Sequence, residues 1–223
     1  MIDLILLLVI LIIPAIAHFK IKSNYNKYLN EENSKNLSGQ EIARKILDKN
    51  NLKDVYVVEV PGNLTDHYDP RRKTVRLSPD VFHGTSVASA SIAAHECGHA
   101  IQDKENYFFL KIRTLIFPIV NIATSISYFI LMIGIIAQLF DLIYFGIALT
   151  GAGLLFQLVT LPVEFDASKR AKSELEHLSL ITNDEEYSVK SMLNAAAMTY
   201  VAGVLASAAQ ILRLVLLFGG RKD

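Results

Sequence analysis

The residues best suited to chemistry are two histidines separated by three residues. Positions 95–99 read His-Glu-Cys-Gly-His, and this spacing places His95 and His99 one turn apart on the same face of a helix. From there both imidazoles can bind one zinc ion at about 2.0–2.1 Å. Glu96 can act as general base towards a water molecule activated by the zinc ion and then protonate a leaving amine. The segment has the HExxH pattern of zinc peptidases and predicts one catalytic zinc ion.

A catalytic zinc ion needs a third protein ligand and keeps one coordination position open. We expect the ligand to be Glu164, which follows the third apolar segment at the point where that segment would leave the membrane. A carboxylate at such a position is costly to leave unpaired and is a functional candidate by default. His177 and Asp166 are the alternative ligands, and an interfacial salt bridge is the structural interpretation of Glu164.

Two further residues could support this site. Asp103 lies four residues after His99 and could orient the histidine ring, although a solvated side chain at a helix end is an equal interpretation. His67 lies on a predicted strand before the catalytic helix, where an edge strand could receive an extended peptide. A surface histidine explains His67 at least as well, so both roles are hypotheses.

The catalytic helix is expected to belong to a small domain of helices and strands. Ser38 and Glu41 predict a capping box at the start of one helix. Thr85 or Ser86 then caps a helix that runs through the HExxH segment to about Lys104. Three runs have the composition and the turn signals of a small sheet: 55–60, 64–68 and 74–77.

Long apolar segments dominate the remaining sequence. The composition is 52% hydrophobic, and its concentration in blocks is typical of an integral membrane protein with a modest water-facing part. The second and third segments are separated only by Asp141, which predicts a tight helical hairpin. The first segment has no basic residues before it, which favours an uncleaved anchor over a signal peptide. The four candidate spans are 1–17, 115–140, 142–161 and 195–218.

The charges between these segments predict the orientation in the membrane. Basic residues within 20–27, 104–113 and 169–172 belong in the cytoplasm by the positive-inside rule. Arg221 and Lys222 oppose this orientation, because four spans would place them outside. Lys+Arg and Asp+Glu are both 22, so no global charge favours nucleic acid as a partner. We expect a multi-pass protein of the plasma membrane with a cytoplasmic catalytic domain.

These features predict five consecutive regions and a fold class. The polar stretch 23–36 is expected to be loop or irregular helix. The fold class is an α-helical integral membrane protein with about four transmembrane helices and a small α+β, zincin-like catalytic domain. The regions are a transmembrane anchor at 1–17, a zincin-like domain with the HExxH helix at 18–113, a transmembrane hairpin at 114–161, a third-ligand and interfacial segment at 162–194, and a C-terminal transmembrane helix at 195–218.

Three segments carry a resemblance to a known family, and it extends over nearly the whole chain. The chain resembles the YugP-type bacterial membrane zinc metallopeptidases. The resemblance implies a bacterial protein in which His95 and His99 bind zinc and Glu96 is the base. The segments are 62–71 (Gly-Asn-Leu-Thr-Asp-His-Tyr-Asp-Pro-Arg), 93–102 (Ala-Ala-His-Glu-Cys-Gly-His-Ala-Ile-Gln) and 161–168 (Leu-Pro-Val-Glu-Phe-Asp-Ala-Ser).

The last segment also resembles the third-ligand segment of glutamate-ligand membrane peptidases related to the CAAX proteases. That segment has the form Glu-x-x-Ala-Asp. Glu164 and Ala167 match it, but Ser168 stands where the form has aspartate. The resemblance therefore implies an orienting role beside Glu164 for Ser168, or for Asp166 instead.

The sequence thus predicts a membrane-anchored zinc metalloendopeptidase that acts on membrane or membrane-proximal polypeptides, in an oligomeric state that the sequence leaves open. One rival is an intramembrane protease of the site-2 type. It is disfavoured because the predicted catalytic helix carries several polar residues and no apolar span supplies a matching aspartate. The other rival is a scaffold with structural zinc, in which a fourth protein ligand would close the site. Glu96 has no purpose in a structural site, which favours catalysis.

Overall fold

The computed structural model describes residues 1–219, which form seven α-helices and three β-strands. The mostly helical architecture with a small three-stranded sheet agrees with the predicted helical membrane protein that has a small part of mixed helices and strands. In chain order the elements are α1 (Ile2–Leu29), α2 (Gly39–Lys49), β1 (Tyr56–Glu59), β2 (His67–Asp69), β3 (Thr74–Leu77), α3 (Pro79–Phe82), α4 (Val87–Lys104), α5 (Phe108–Ala137), α6 (Phe140–His177) and α7 (Glu186–Phe218).

The chain divides into two compact units. Among the described residues, the helical unit comprises Met1–His18, Lys111–Pro162 and the chain from Thr199 to Gly219. The mixed unit comprises Phe19–Leu110 and Val163–Met198, and it contains the sheet. Each unit is therefore assembled from segments that are distant in the sequence.

Helices α1, α5, α6 and α7 are each long and apolar enough to cross a membrane. Large apolar side chains such as Leu115, Ile119 and Phe145 are exposed on them, which suits contact with lipid. In the helical unit, Arg213 Nε donates to Asp3 Oδ1 at 2.7 Å, so each of these charges has a partner. Arg221 and Lys222, which oppose the predicted orientation, lie outside the described residues.

The turn between α5 and α6 comes slightly earlier than the sequence predicts. Gln138 adopts the left-handed region with φ +56°, and the N–H of Leu139 donates to the Gly134 carbonyl at 2.9 Å. Asp141 lies in the first turn of α6 instead of between the helices. A carboxylate is favoured there because the helix dipole is positive at its N-terminus.

Helices α1 and α6 are longer than their apolar segments. Residues up to Leu29 continue α1, where the sequence predicts loop or irregular helix. The continuation is stabilised by packing, because Tyr25 and Tyr28 are buried in the core of the mixed unit. Likewise α6 continues through Pro162 to His177 as one helix of 38 residues.

The sheet of the mixed unit has the strand order β1-β3-β2. Strand β3 pairs in parallel with β1 and antiparallel with β2. Strands β1 and β2 are therefore the two edges of the sheet. Helix α2 begins with the predicted capping box, in which Ser38 Oγ accepts from the Glu41 N–H and the Glu41 carboxylate accepts from the Ser38 N–H.

Helix α4 is the central helix of the mixed unit. Its N-cap residue is Ser86, whose Oγ accepts a hydrogen bond from the Ser89 N–H at 3.1 Å. Small residues such as Ala90, Ala94 and Ala100 are fully buried, so neighbouring elements approach its backbone closely. A helix buried on nearly all sides is held in a fixed orientation, which suits a helix that carries ligands.

Candidate metal centre

The side chains of His95, His99 and Glu164 come together in the mixed unit. Their ligand atoms all lie within 4.8 Å of one another. Glu164 Oε2 is 3.4 Å from His95 Nε2 and 3.7 Å from His99 Nε2. A tetrahedral zinc ion with bonds of about 2.0–2.1 Å separates its ligand atoms by about 3.4 Å, and it binds imidazole nitrogen and carboxylate oxygen. The donor set and its spacing therefore fit one zinc ion.

A glycine lets the two helices that contain the candidate ligands approach each other. Gly98 on α4 faces the backbone of α6, and a Cβ atom built on it would lie 2.6 Å from the Ala167 carbonyl oxygen. That distance is too short for any side chain at this position unless the helices separate. The missing side chain therefore allows Glu164, which is only 2% exposed, to meet both imidazoles.

Gln102 makes the contact with His99 that the sequence suggests for Asp103. Gln102 Oε1 lies 3.0 Å from His99 Nδ1, and the side chain is fully buried. Its Nε2 donates to the Val163 carbonyl and to Asp166 Oδ2, both at 2.8 Å. Sequence reasoning missed Gln102, although its i,i+3 spacing from His99 is a usable signal.

Asp103 has a different position from the predicted one. Its Oδ2 accepts hydrogen bonds from the Tyr68 hydroxyl at 2.8 Å and from Lys73 Nζ at 3.0 Å. Successive helical residues are rotated by about 100°, so Asp103 faces the sheet while Gln102 faces His99. Asp103 therefore holds strand β2 against α4 and does not orient the histidine.

Ser168 contacts His95 directly, and Asp166 is connected to His99 through Gln102. Ser168 Oγ is 3.3 Å from His95 Nδ1. Asp166 reaches the site through Gln102, and its carboxylate also forms an ion pair with Arg170 Nε at 2.5 Å. Each histidine thus has a polar partner at Nδ1.

Glu96 is buried on α4 beside the metal-ligand group. Burial raises the pKa of Glu96 to about 7. The negative charges of Glu164 and Asp66 add to this rise in the pKa of Glu96, whereas the nearby backbone of Tyr68 opposes it. A carboxyl group that titrates near neutrality can both accept and release a proton at neutral pH.

His67 and His177 lie outside this group. His67 is exposed on the edge strand β2, and its Nδ1 is 2.7 Å from the Thr65 carbonyl oxygen. His177 is exposed in the last turn of α6. It lies more than three turns after Glu164, or about 20 Å along the helix axis, too far to bind the same ion.

A buried group of two histidines and a glutamate, with a second glutamate beside it, is typical of zinc peptidases. The chain belongs to the family described as "Putative neutral zinc metallopeptidase", whose match covers residues 3–219. It is 47% identical over 207 residues to a Bacillus subtilis (strain 168) protein described as "Putative membrane protease YugP", across 93% of this chain and 92% of that protein. No solved structure matches the chain. The family resemblance noted from the sequence is confirmed, and the chain is a membrane-associated member of a zinc metallopeptidase family.

Proposed function

We propose that this chain is a membrane-anchored zinc metalloendopeptidase that cleaves polypeptides at the membrane surface. The observation that carries the proposal is the meeting of His95, His99 and Glu164 beside the buried Glu96. Within residues 1–219, three donor residues form this group. Three protein ligands and an open position are typical of a catalytic site, whereas structural zinc sites have four protein ligands.

The residues of the site divide into ligands, a base and orienting groups. Zinc would supply Lewis acidity, which lowers the pKa of a water molecule and polarises the peptide carbonyl. Glu96 would accept the proton of the attacking water and deliver it to the leaving amine. Ser168 and Gln102 contact Nδ1 of the two histidines, which leaves both Nε2 atoms directed towards Glu164.

The edge strand β2 supports a polypeptide as the substrate. Tyr68 on β2 connects the strand to α4 through its hydroxyl, which donates to Asp103, and its backbone influences the pKa of Glu96. An extended peptide that added to this edge would run next to the proposed base. His67, exposed on the same strand, would then contact substrate side chains.

The position of Glu164 on α6 supports action at the membrane surface. The apolar segment of this helix ends at Leu161, and Glu164 follows within one turn. A ligand that comes directly after a candidate span favours substrates that are membrane proteins or lie close to the membrane. The catalytic domain would be zincin-like, and the basic residues that flank the spans favour its location on the cytoplasmic side of the bacterial plasma membrane.

The first test is the zinc content of the detergent-purified protein beside two glutamate variants. We expect about one zinc ion in the wild type and in Glu96→Gln, because Glu96 is not a ligand in this proposal. Glu164→Gln should lose zinc, since the variant replaces a charged ligand by a neutral amide. Full zinc retention in Glu164→Gln would exclude Glu164 as a ligand, and absence of zinc from the reconstituted wild type would contradict the peptidase function itself.

Cleavage of an unfolded protein such as casein then separates catalysis from scaffolding. Glu96→Gln should lower the rate at least about 10²-fold while zinc stays bound. A chelator should abolish cleavage by the wild type, and added zinc should restore it. Equal cleavage by Glu96→Gln and the wild type would contradict the role of Glu96. Zinc binding without cleavage of any membrane or soluble polypeptide would favour the scaffold with structural zinc.

A further inference from the structure

The amide of Gln102 is fully buried and contacts both ligand-bearing helices. We infer that Gln102 is a positioning residue that fixes the tautomer of His99 and ties its ring to α6. The inference rests on the proposed zinc site, because it concerns how one ligand is held ready for the ion.

The orientation of the amide follows from its two partners on α6. The Val163 carbonyl and the Asp166 carboxylate are hydrogen-bond acceptors without a proton to donate, and both lie 2.8 Å from Gln102 Nε2. The two hydrogens of the NH₂ group satisfy these two acceptors. The oxygen end of the amide must then face His99.

The oxygen of Gln102 determines which nitrogen of His99 carries the proton. Because Oε1 can only accept, His99 Nδ1 must donate to it across 3.0 Å. The lone pair of the neutral imidazole is then on Nε2, the atom that faces Glu164 at 3.7 Å. A hydrogen bond at the distal nitrogen raises the basicity of a histidine ligand and restrains the rotation of its ring.

Gln102 is the first residue of a series of polar contacts that passes through α6 and ends at the C-cap of α4. Asp166 is paired with Arg170, which in turn donates to Glu105 Oε2 at 2.6 Å. Glu105 is the C-cap residue of α4, so the sequence of contacts begins and ends on the histidine-bearing helix. His99 is thereby connected to α6 by a closed set of polar contacts in addition to the packing of apolar side chains.

The first experiment measures the zinc dissociation constant of the detergent-purified protein by competition with a chromogenic chelator. Gln102→Met keeps the length of the side chain and removes both hydrogen-bonding ends. We expect zinc to bind about 10–100-fold more weakly, the usual effect of losing a partner behind a ligand. Gln157→Met, the same substitution on α6 in the helical unit, is the matched control and should bind zinc like the wild type.

A second pair of variants separates positioning from packing. Gln102→Glu keeps an oxygen towards His99 but places a carboxylate against Asp166. The double variant Gln102→Glu/Asp166→Asn exchanges the amide and the carboxylate, so the new amide can donate to the new carboxylate. Zinc should bind the double variant more tightly than Gln102→Glu, an effect that a space-filling role of Gln102 would not produce.

The outcomes distinguish this inference from the proposed function. Unchanged zinc affinity in Gln102→Met, or a double variant no tighter than Gln102→Glu, would overturn the role of Gln102 while leaving the zinc site intact. A wild-type protein that binds no zinc would instead remove the proposed function and this inference together. Weak binding by Gln102→Met, recovery in the double variant and an unaffected Gln157→Met would establish the positioning role.

Discussion

Glu96 and Glu164 are both buried carboxyl groups, but their different neighbours suit them to different proposed roles, general base and metal ligand. Glu164 Oε2 lies within 3.7 Å of the Nε2 atoms of His95 and His99, which suits its proposed role as a metal ligand. Glu96 directly follows His95 in the sequence, and its burial raises its pKa to about 7. Two carboxyl groups in different environments next to one another are a common arrangement in hydrolytic sites.

Gln102 and Asp103 are consecutive residues of α4, but their side chains contact different parts of the mixed unit. Gln102 contacts the histidine, whereas Asp103 binds the hydroxyl of Tyr68 and the ammonium group of Lys73. The side chain of Asp103 is partly buried, so its bond to the tyrosine is shielded from solvent. Its effect should therefore be on the stability of strand β2 and not on metal affinity.

We predict that Asp103→Ala lowers the free energy of unfolding by about 1–2 kcal/mol, because two hydrogen bonds to a charged group are lost. Zinc content should not change. Thermal unfolding in detergent and metal analysis are the measurements. Asp48→Ala is the control, because the Asp48–Arg44 pair on α2 is half exposed and should contribute little. Loss of zinc in Asp103→Ala alone would return Asp103 to the metal site.

At the scale of elements, the close approach of α4 and α6 decides whether the ligands meet. The two histidines are on one helix and Glu164 is on the other. The backbones of α4 and α6 lie so close at Gly98 and Ala167 that a Cβ atom on Gly98 would be 2.6 Å from the Ala167 carbonyl oxygen. Gly98 is therefore needed for the packing of the two helices, a requirement that is not part of the HExxH pattern.

We predict that Gly98→Ala weakens zinc binding at least about tenfold and costs about 1–3 kcal/mol of stability, the usual range for overpacking. The added methyl group would press on the Ala167 carbonyl and move Glu164 away from the imidazoles. Chelator competition and thermal unfolding measure the two effects. Gly151→Ala on α6 is the matched control, since a Cβ atom there has no neighbour within 4 Å. Equal zinc affinity in both variants would contradict this account.

At the scale of the whole molecule, residues 1–219 include four long helices whose exposed apolar side chains favour association with a membrane. Their windows have mean hydropathies between 1.9 and 2.7. Each of these helices has at least 28 residues, whereas about 20 helical residues cross a hydrocarbon core about 30 Å thick. The charges of Asp3 and Arg213 in the helical unit are paired with each other, which lowers their cost near lipid.

We predict that the full-length protein stays in the membrane fraction after alkaline carbonate extraction and enters solution only with detergent. Apolar surface on this scale has no favourable alternative in water. Immunoblots of pellet and supernatant measure the partition, with a peripheral membrane protein as the released control. Release of the intact protein by carbonate would contradict membrane-spanning helices.

Local features of the sequence were sufficient for the elements and for part of the site. The capping box at Ser38, the individual strands and the long apolar helices depend on neighbouring residues, and the structure has all of them, although β2 spans His67–Asp69 and not the predicted 64–68. The i,i+4 spacing likewise places His95 and His99 on one face without any knowledge of the fold. The boundaries were less accurate, because packing of Tyr25 and Tyr28 extends α1 beyond its apolar segment.

Only the tertiary structure decided which distant residues meet. Gln102 contacts Val163 and Asp166 across 61 and 64 residues of sequence, and no periodic pattern encodes such a pairing. The sequence favoured Glu164 over His177 as the third ligand, because an unpaired carboxylate at the end of a membrane span is costly. The distance of Glu164 from the imidazoles, however, depends on how α6 packs on α4. The physical reason is that helical spacing is set by local backbone hydrogen bonds, whereas contacts between helices are set by the shapes of both surfaces.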